Sequence, residues 1–418
     1  MKSLSNTTFW TAISTLFKIV VGLLLVKLFA LQFGTAGLGQ VANFMTLITV
    51  LGVFAGAGIF NGVTKYVAEF EHQPENLTAL FSTANRIIVL FSGVLALVFL
   101  LCSAQISQWL FYSQDYQTVV IATGIAQFGI ANSNYFLAIL KGYRNVKATA
   151  MSVIIGSLLG LSVFLIGLYG CGYHGALVGL VVMPALVFLP ARYFLHRQLQ
   201  AVKFGRNFAF SSEHAKKLFK FSIMVFITAL TLPVAYVLMR DLLVQYHSLE
   251  AVGLWQGVSK ISDAYLQFIT AAFSVYLLPT FARLNAKAPL QQEVVKALKF
   301  VGVAALLAGV TIFSLKHWII LLLYSKDFLA MESLFLWQLL GDTCKVLAYV
   351  FGYLIVAKAS LKLYAVAEIL QLGLLVGIGH LFIPHYGAQG AVQAYFATYL
   401  VYLLLCVAGF KYYLKHSN

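Results

Sequence analysis

Apolar stretches long enough to cross a bilayer as helix, about 20 residues or more, recur from one end of this chain to the other. Hydropathy predicts spans at 7–31, 38–66, 81–106, 116–140, 148–170, 174–196, 218–243, 250–280, 294–317, 328–357, 362–383 and 387–410. The fold class this implies is an all-α polytopic membrane protein, with twelve transmembrane helices in two sets of six. Span length excludes a barrel, because a membrane strand needs only about 9–11 residues. The second and eighth spans are long enough to tilt or to run beyond the bilayer.

The pattern repeats along the chain. Leu110-Phe111-Tyr112-Ser113-Gln114-Asp115-Tyr116 returns as Leu322-Leu323-Tyr324-Ser325-Lys326-Asp327-Phe328. Gly172-Tyr173-His174-Gly175-Ala176 returns as Gly387-Ala388-Gln389-Gly390-Ala391, and Gly37-Leu38-Gly39-Gln40 more weakly as Gly253-Leu254-Trp255-Gln256. Three echoes at nearly one displacement predict a duplicated bundle: an N-lobe over 1–199, a linker over 200–216 and a C-lobe over 217–418. Six spans per half is an even number, so both halves insert the same way up. They are then related by a pseudo-two-fold axis along the membrane normal. A duplicated bundle is the usual architecture of a carrier.

Charge refines this picture. Charged residues make up only 10% of the chain, and the formal net charge is +15. Lys65, Arg86, Lys141, Arg144, Lys147, Lys216, Lys217, Arg283, Lys287, Lys358, Lys362, Lys411 and Lys415 fall in the even-numbered connections and at the carboxyl end. The positive-inside rule then places both termini in the cytoplasm. Topology and anionic headgroups account for the cations, so inner-membrane lipids are the expected partner and nucleic acid is not. Cys102, Cys171, Cys344 and Cys406 show no metal-ligand or disulfide spacing and read as small core residues, with no metal or cofactor implied. Apart from the linker no connection is long enough to fold as a catalytic domain, which argues against an enzyme.

The informative residues are ionisable groups inside spans, where each costs about 2.5–3.5 kcal/mol on insertion scales. In the eighth span Gln256, Lys260, Asp263, Gln267, Thr270 and Ser274 share one helical face. In the tenth, Gln338, Asp342, Lys345 and Tyr349 do the same. Each stripe holds an acid and a base three residues apart, which suits either a self-neutralising helix pair or a wet wall for a polar ligand. Two stripes in one half favour the wall. Lys18 lies mid-span with no acid nearby in sequence, which makes it a candidate anion ligand. Lys27 is expected to snorkel to the outer headgroups. Gln127, Asn134 and Lys141 recur at seven-residue intervals, a polar wall leading from a cytoplasmic entrance at Lys141 and Arg144. Glu368, with Tyr364 and Gln371, is either a cation or proton site or a partner for Lys358 or Lys362. Asp263, Asp342 and Glu368 are thus the candidates for coupling or gating.

Phe33–Gln40, Gly56–Tyr66, Trp255–Thr270, Trp337–Asp342 and Tyr349–Leu354 resemble the Wzx-type polysaccharide flippases of the multidrug/oligosaccharidyl-lipid/polysaccharide exporter superfamily. Lys260 departs from that pattern, which has a small polar residue there, so Asp263 carries over more firmly. The resemblance implies a substrate built on undecaprenyl diphosphate, carried from the cytoplasmic to the periplasmic leaflet of a bacterial inner membrane. It also implies two lobes forming a V around a central cavity, and polymerase and chain-length proteins of the same pathway as partners. The competing reading is a cation-coupled multidrug exporter of the same fold, whose cavity would be dominated by acids and aromatics. A major-facilitator carrier would show a basic G-x-x-x-D-R-x-G-R-like turn, and residues 67–86 hold none.

Overall fold

The computed structural model describes residues 2–198, 210–284, 286–358 and 361–416, so most of the expected linker lies outside the described residues. The described residues form α1 (Lys2–Phe54), α2 (Phe60–Glu69), α3 (Pro74–Leu101), α4 (Ser103–Phe111), α5 (Gln117–Gly142), α6 (Val146–Leu186) and α7 (Phe188–Gln198). They continue with α8 (Ser212–Tyr246), α9 (Leu249–Arg283), α10 (Lys287–Leu323), a 3-10 helix (Lys326–Leu334), α11 (Phe335–Ala357) and α12 (Leu361–His416). Among them no strand occurs, and seven helical stretches are long and apolar enough to cross a membrane. The chain is an all-α, multi-pass membrane protein.

These elements do not map one to one onto the predicted spans. As one straight rod the 53-residue α1 would be about 80 Å long, far beyond a hydrocarbon core of about 30 Å. It is interrupted at Gly34, α6 at Gly172 and α12 at Gly387, each with a left-handed φ that a side chain would oppose. In α6 the two arms fold back on each other. The Cα faces of Gly167, Gly160 and Gly156 abut Gly175, Met183 and Val187 in turn. The expected span 38–66 is broken between Phe54 and Phe60, where Ala57 and Gly58 have φ of 53° and 69°. Span 174–196 breaks at Val187, span 81–106 at Cys102, and span 328–357 opens as the 3-10 helix.

The glycine echo is a structural echo. Gly172 and Gly387 share φ/ψ to within two degrees, 58°/−134° against 57°/−132°. Ser113 Oγ donates to Asp115 Oδ2 at 2.7 Å and Ser325 Oγ to Asp327 Oδ2 at 3.2 Å, but the backbone before them differs, left-handed at Tyr112 and extended at Tyr324.

Contacts divide the chain into two compact units. One comprises Met1–Gly22 and Asn43–Leu230, the other Leu23–Ala42 and Thr231–Asn418. In the first unit Val63 and Val67 of α2, Leu80 and Ile88 of α3, Ala131 and Leu140 of α5 and Leu195 of α7 form one buried cluster. In the second, Phe273 and Phe281 of α9, Val301 of α10 and Val350 of α11 form another, against which Phe410 of α12 packs. Leu101, Ile166, Val310 and Trp318 are exposed, as suits faces solvated by lipid tails. All four cysteines are free, but Cys102 and Cys171 are exposed and so are not the core residues expected of them.

Candidate functional site

In the first unit the seven-residue recurrence on α5 does set Gln127, Asn134 and Lys141 on one face, since seven residues are close to two turns. Only the last is available to a ligand. Gln127 is fully buried and its Nε2 donates to the Ser92 carbonyl at 2.7 Å. Asn134 Nδ2 donates to the Gly52 carbonyl at 2.8 Å. Both side chains therefore tie helices together and do not line a polar path. Lys141, in the last turn of α5, is exposed, as is Arg144 in the turn beyond it.

Lys18 of α1 is exposed too, while Ile19 and Val21 beside it are buried. Lys18 and Lys141 lie within electrostatic reach of each other. Among the described residues, no acid is within ion-pair distance of either. Two exposed ammonium groups held together without a carboxylate repel each other unless an anion joins them.

In the second unit the two polar stripes have different fates. On α9, Asp263 and Gln267 are exposed, and Lys260 pairs with Asp263 at 3.4 Å. An exposed pair of that kind contributes about 0–1 kcal/mol. Gln256, at the other end of the stripe, is buried and accepts from Arg240 Nη2 at 3.0 Å. On α11 the stripe is not wet. Gln338, Asp342 and Lys345 are all buried, which corrects the expected polar wall. Asp342 Oδ2 accepts from Ser262 Oγ at 2.6 Å and Tyr265 OH at 2.7 Å. Its Oδ1 accepts from Tyr395 OH at 2.8 Å and Gln338 Nε2 at 3.3 Å. Four donors saturate the carboxylate.

Lys345 forms no ion pair with Asp342. Its ammonium lies 5.8, 5.4 and 5.2 Å from the ring centroids of Tyr349, Tyr395 and Tyr399, within cation–π range of all three. Glu368 is half-buried, and among the described residues it has no ion pair with Lys358 or Lys362. Lys27 has a partner within the protein. Its Nζ donates to the Leu322 carbonyl at 2.8 Å, at the C-terminal end of α10 where a cation is favoured. Sequence reasoning missed Arg240, Ser262, Tyr265 and Tyr395. Arg240 alone carries a signal in the sequence, a charge inside an otherwise apolar stretch. Among the described residues no cluster of His, Cys, Asp or Glu could hold a metal.

The family model described as polysaccharide biosynthesis protein matches residues 4–285. A protein of Escherichia coli (strain K12) named Lipid III flippase is 51% identical over 408 residues, 98% of each chain. The chain belongs to the polysaccharide biosynthesis protein family. Solved structures carry the fold of this family further. A multidrug resistance MATE family transporter of the MOP superfamily in an inward-facing conformation superposes with TM-score 0.77. The match covers 97% of this chain and 96% of that one, at 15% identity. The lipid II flippase MurJ superposes with TM-score 0.75 at 16% identity, over 96% of this chain and 87% of that one. At such identities the likeness is one of fold alone.

Proposed function

We propose that this protein is a lipid III flippase. It carries an undecaprenyl-diphosphate-linked oligosaccharide of enterobacterial common antigen synthesis from the cytoplasmic to the periplasmic leaflet of the inner membrane. The binding site is exposed to each side in alternation. It is a carrier and catalyses no covalent step. Identity of 51% over nearly the whole chain to a protein of that name supports the substrate. The observation that carries the reading within the molecule is the exposed Lys18–Lys141 pair without a carboxylate. A diphosphate supplies the two negative charges such a pair lacks, and charge-assisted bonds to phosphate are among the strong ones. Arg144, exposed in the turn beyond α5, stands at the entrance. With the left-handed glycines opened as turns, and the second arm of α1 joined with α2, α3 with α4, the second arm of α6 with α7 and the 3-10 helix with α11, the elements count as twelve crossings in two sets of six, with both termini cytoplasmic.

The saturated shell of Asp342 weighs against a multidrug exporter, whose cationic ligands call for acids with free acceptor positions. The test is a null strain scored for the lipid-linked intermediate held on the cytoplasmic face. Lipid III should accumulate there, and the wild-type gene should clear it while Lys18→Ala should not. A null strain that exports the glycan at the normal rate, with no alternative carrier active, overturns the reading.

A further inference from the structure

Within the second unit, a cavity of about 300 Å³ opens between the C-terminal end of α11 and both arms of α12. Leu354 and Ile355 of α11, Val366 and Leu370 of the first arm, and Leu405 and Phe410 of the second make an apolar wall. Lys358 closes one end and, among the described residues, is the single charged side chain lining it. Lys362 and Lys411, both exposed, lie in the adjoining terminal turns of α12. The wall includes no acid. Sign and shape together therefore specify an occupant with an apolar chain and an anionic head.

Length decides which lipid that is. The lining runs from Phe351 to Lys358 on α11 and from Tyr402 to Tyr413 on α12. At 1.5 Å per residue this is about 10–16 Å, close to half of a hydrocarbon core of about 30 Å. The groove is one leaflet deep and begins at the lysine end. An acyl chain of one leaflet fits that depth, whereas a polyprenyl tail overruns it. Apolar burial by itself gives no preference here, because surrounding lipid tails are equally apolar. Selectivity must come from the head, and basic pockets between transmembrane helices are known to take anionic lipid headgroups. Lys358 Nζ also donates to the Leu284 carbonyl at 2.6 Å, just past the C-terminal end of α9, so a head held there also braces that end.

We propose that this groove is a resident-lipid site. It holds one acyl chain of an anionic phospholipid, with the phosphate at the Lys358 end flanked by Lys362 and Lys411. The experiment uses the full-length protein in detergent, incubated with equal amounts of phosphatidylglycerol and phosphatidylethanolamine of matched chains, with retained lipid read by native mass spectrometry. The wild type should retain one phosphatidylglycerol about tenfold in preference, a ratio equivalent to about 1.4 kcal/mol.

A Cβ on Gly409 meets nothing within 4 Å, and Gly409 lines the groove. Gly409→Trp should therefore fill the groove and lose the lipid while helicity stays unchanged. Gly409→Leu is the smaller substitute if the tryptophan variant does not fold. Replacing both Lys362 and Lys411 with Ala should keep one lipid and lose the preference for phosphatidylglycerol. Three results overturn the proposal: equal retention of the two lipids by the wild type, unchanged retention by a folded Gly409 variant, or displacement of the phospholipid by added undecaprenyl phosphate.

Discussion

Gly39 and Gly253 cross backbone to backbone within the second unit. A Cβ on Gly39 would land on the Leu249 carbonyl, and a Cβ on Gly253 on the Thr35 carbonyl. The contact is reciprocal, since Gly39 meets Leu249 as Gly253 meets Thr35. Only a hydrogen in place of a side chain permits this approach. Gly39→Ala and Gly253→Ala should each lower the thermal midpoint in detergent, by an overpacking penalty of about 1–3 kcal/mol. Because the two share one crossing, the double variant should fall short of the sum. Full additivity would mean that the crossing is not a single contact.

For the lysine pair the expected outcome is functional, not structural. Lys18→Ala and Lys141→Ala should each reduce flipping in vesicles at least about tenfold, a change of 1.4 kcal/mol, with expression and thermal midpoint unchanged. The double variant should be little worse than either single one, because both groups serve one anion. Lys18→Arg should retain most of the activity, since it keeps the charge and the affinity for phosphate. Wild-type rates in both alanine variants would remove the anion site.

The two aspartates should separate cleanly. Asp342→Asn turns an acceptor of four bonds into a group with an NH₂ facing hydroxyl donors, leaving buried groups unsatisfied at about 1–3 kcal/mol. Its thermal midpoint should fall by several degrees. Asp263→Asn removes only an exposed pair and should stay within about 1 kcal/mol of the wild type. If Asp263 couples a cation, that variant should lose its dependence on a proton or sodium gradient while remaining folded. Equal stability in Asp342→Asn would contradict the bonded shell described above.

At the head of α8, Ser211 Oγ and His214 Nδ1 are 2.8 Å apart, and the Ser211 amide donates to Thr83 Oγ1 at 3.1 Å. His214 packs edge-on against Phe70. Burial and the nearby Lys217 ammonium hold the His214 imidazole below its usual pKa, against a smaller opposing pull from Glu213. A depressed folded-state value means that the unfolded state takes up a proton first as pH falls. This attachment is therefore intact above about pH 6.5 and weakens as pH falls from there. Amide exchange over residues 211–218 should be faster at low pH, after correction for the intrinsic rate, and His214→Asn should abolish the difference.

Helical content and the recurring glycine turn of Gly172 and Gly387 were legible in the sequence, because hydropathy and short repeated words are local signals. The fate of the α11 stripe was not. A polar stripe in a lipid-facing protein must turn away from lipid, but two destinations satisfy that rule, an aqueous surface or the bundle interior. Donors on other elements decide between them, here Ser262, Tyr265 and Tyr395, remote in sequence from Asp342. The bond of Lys27 to the Leu322 carbonyl was not legible for the same reason. Whether an ammonium reaches headgroups or a helix end depends on where the Leu322 carbonyl lies, and no local pattern records that. The break at Ala57 and Gly58 is a backbone event inside an apolar run, to which hydropathy is blind.

The hairpin at Gly172 has a consequence for biosynthesis. Its two arms meet turn for turn around a bend of Cys171, Gly172 and Tyr173, without a Lys, Arg, Asp or Glu. Such a bend offers no hydrophilic loop to be dragged across the hydrocarbon. Both arms can leave the insertion machinery together, already paired from Gly167–Gly175 outward, before the Thr231–Asn418 part of the second unit has been synthesised.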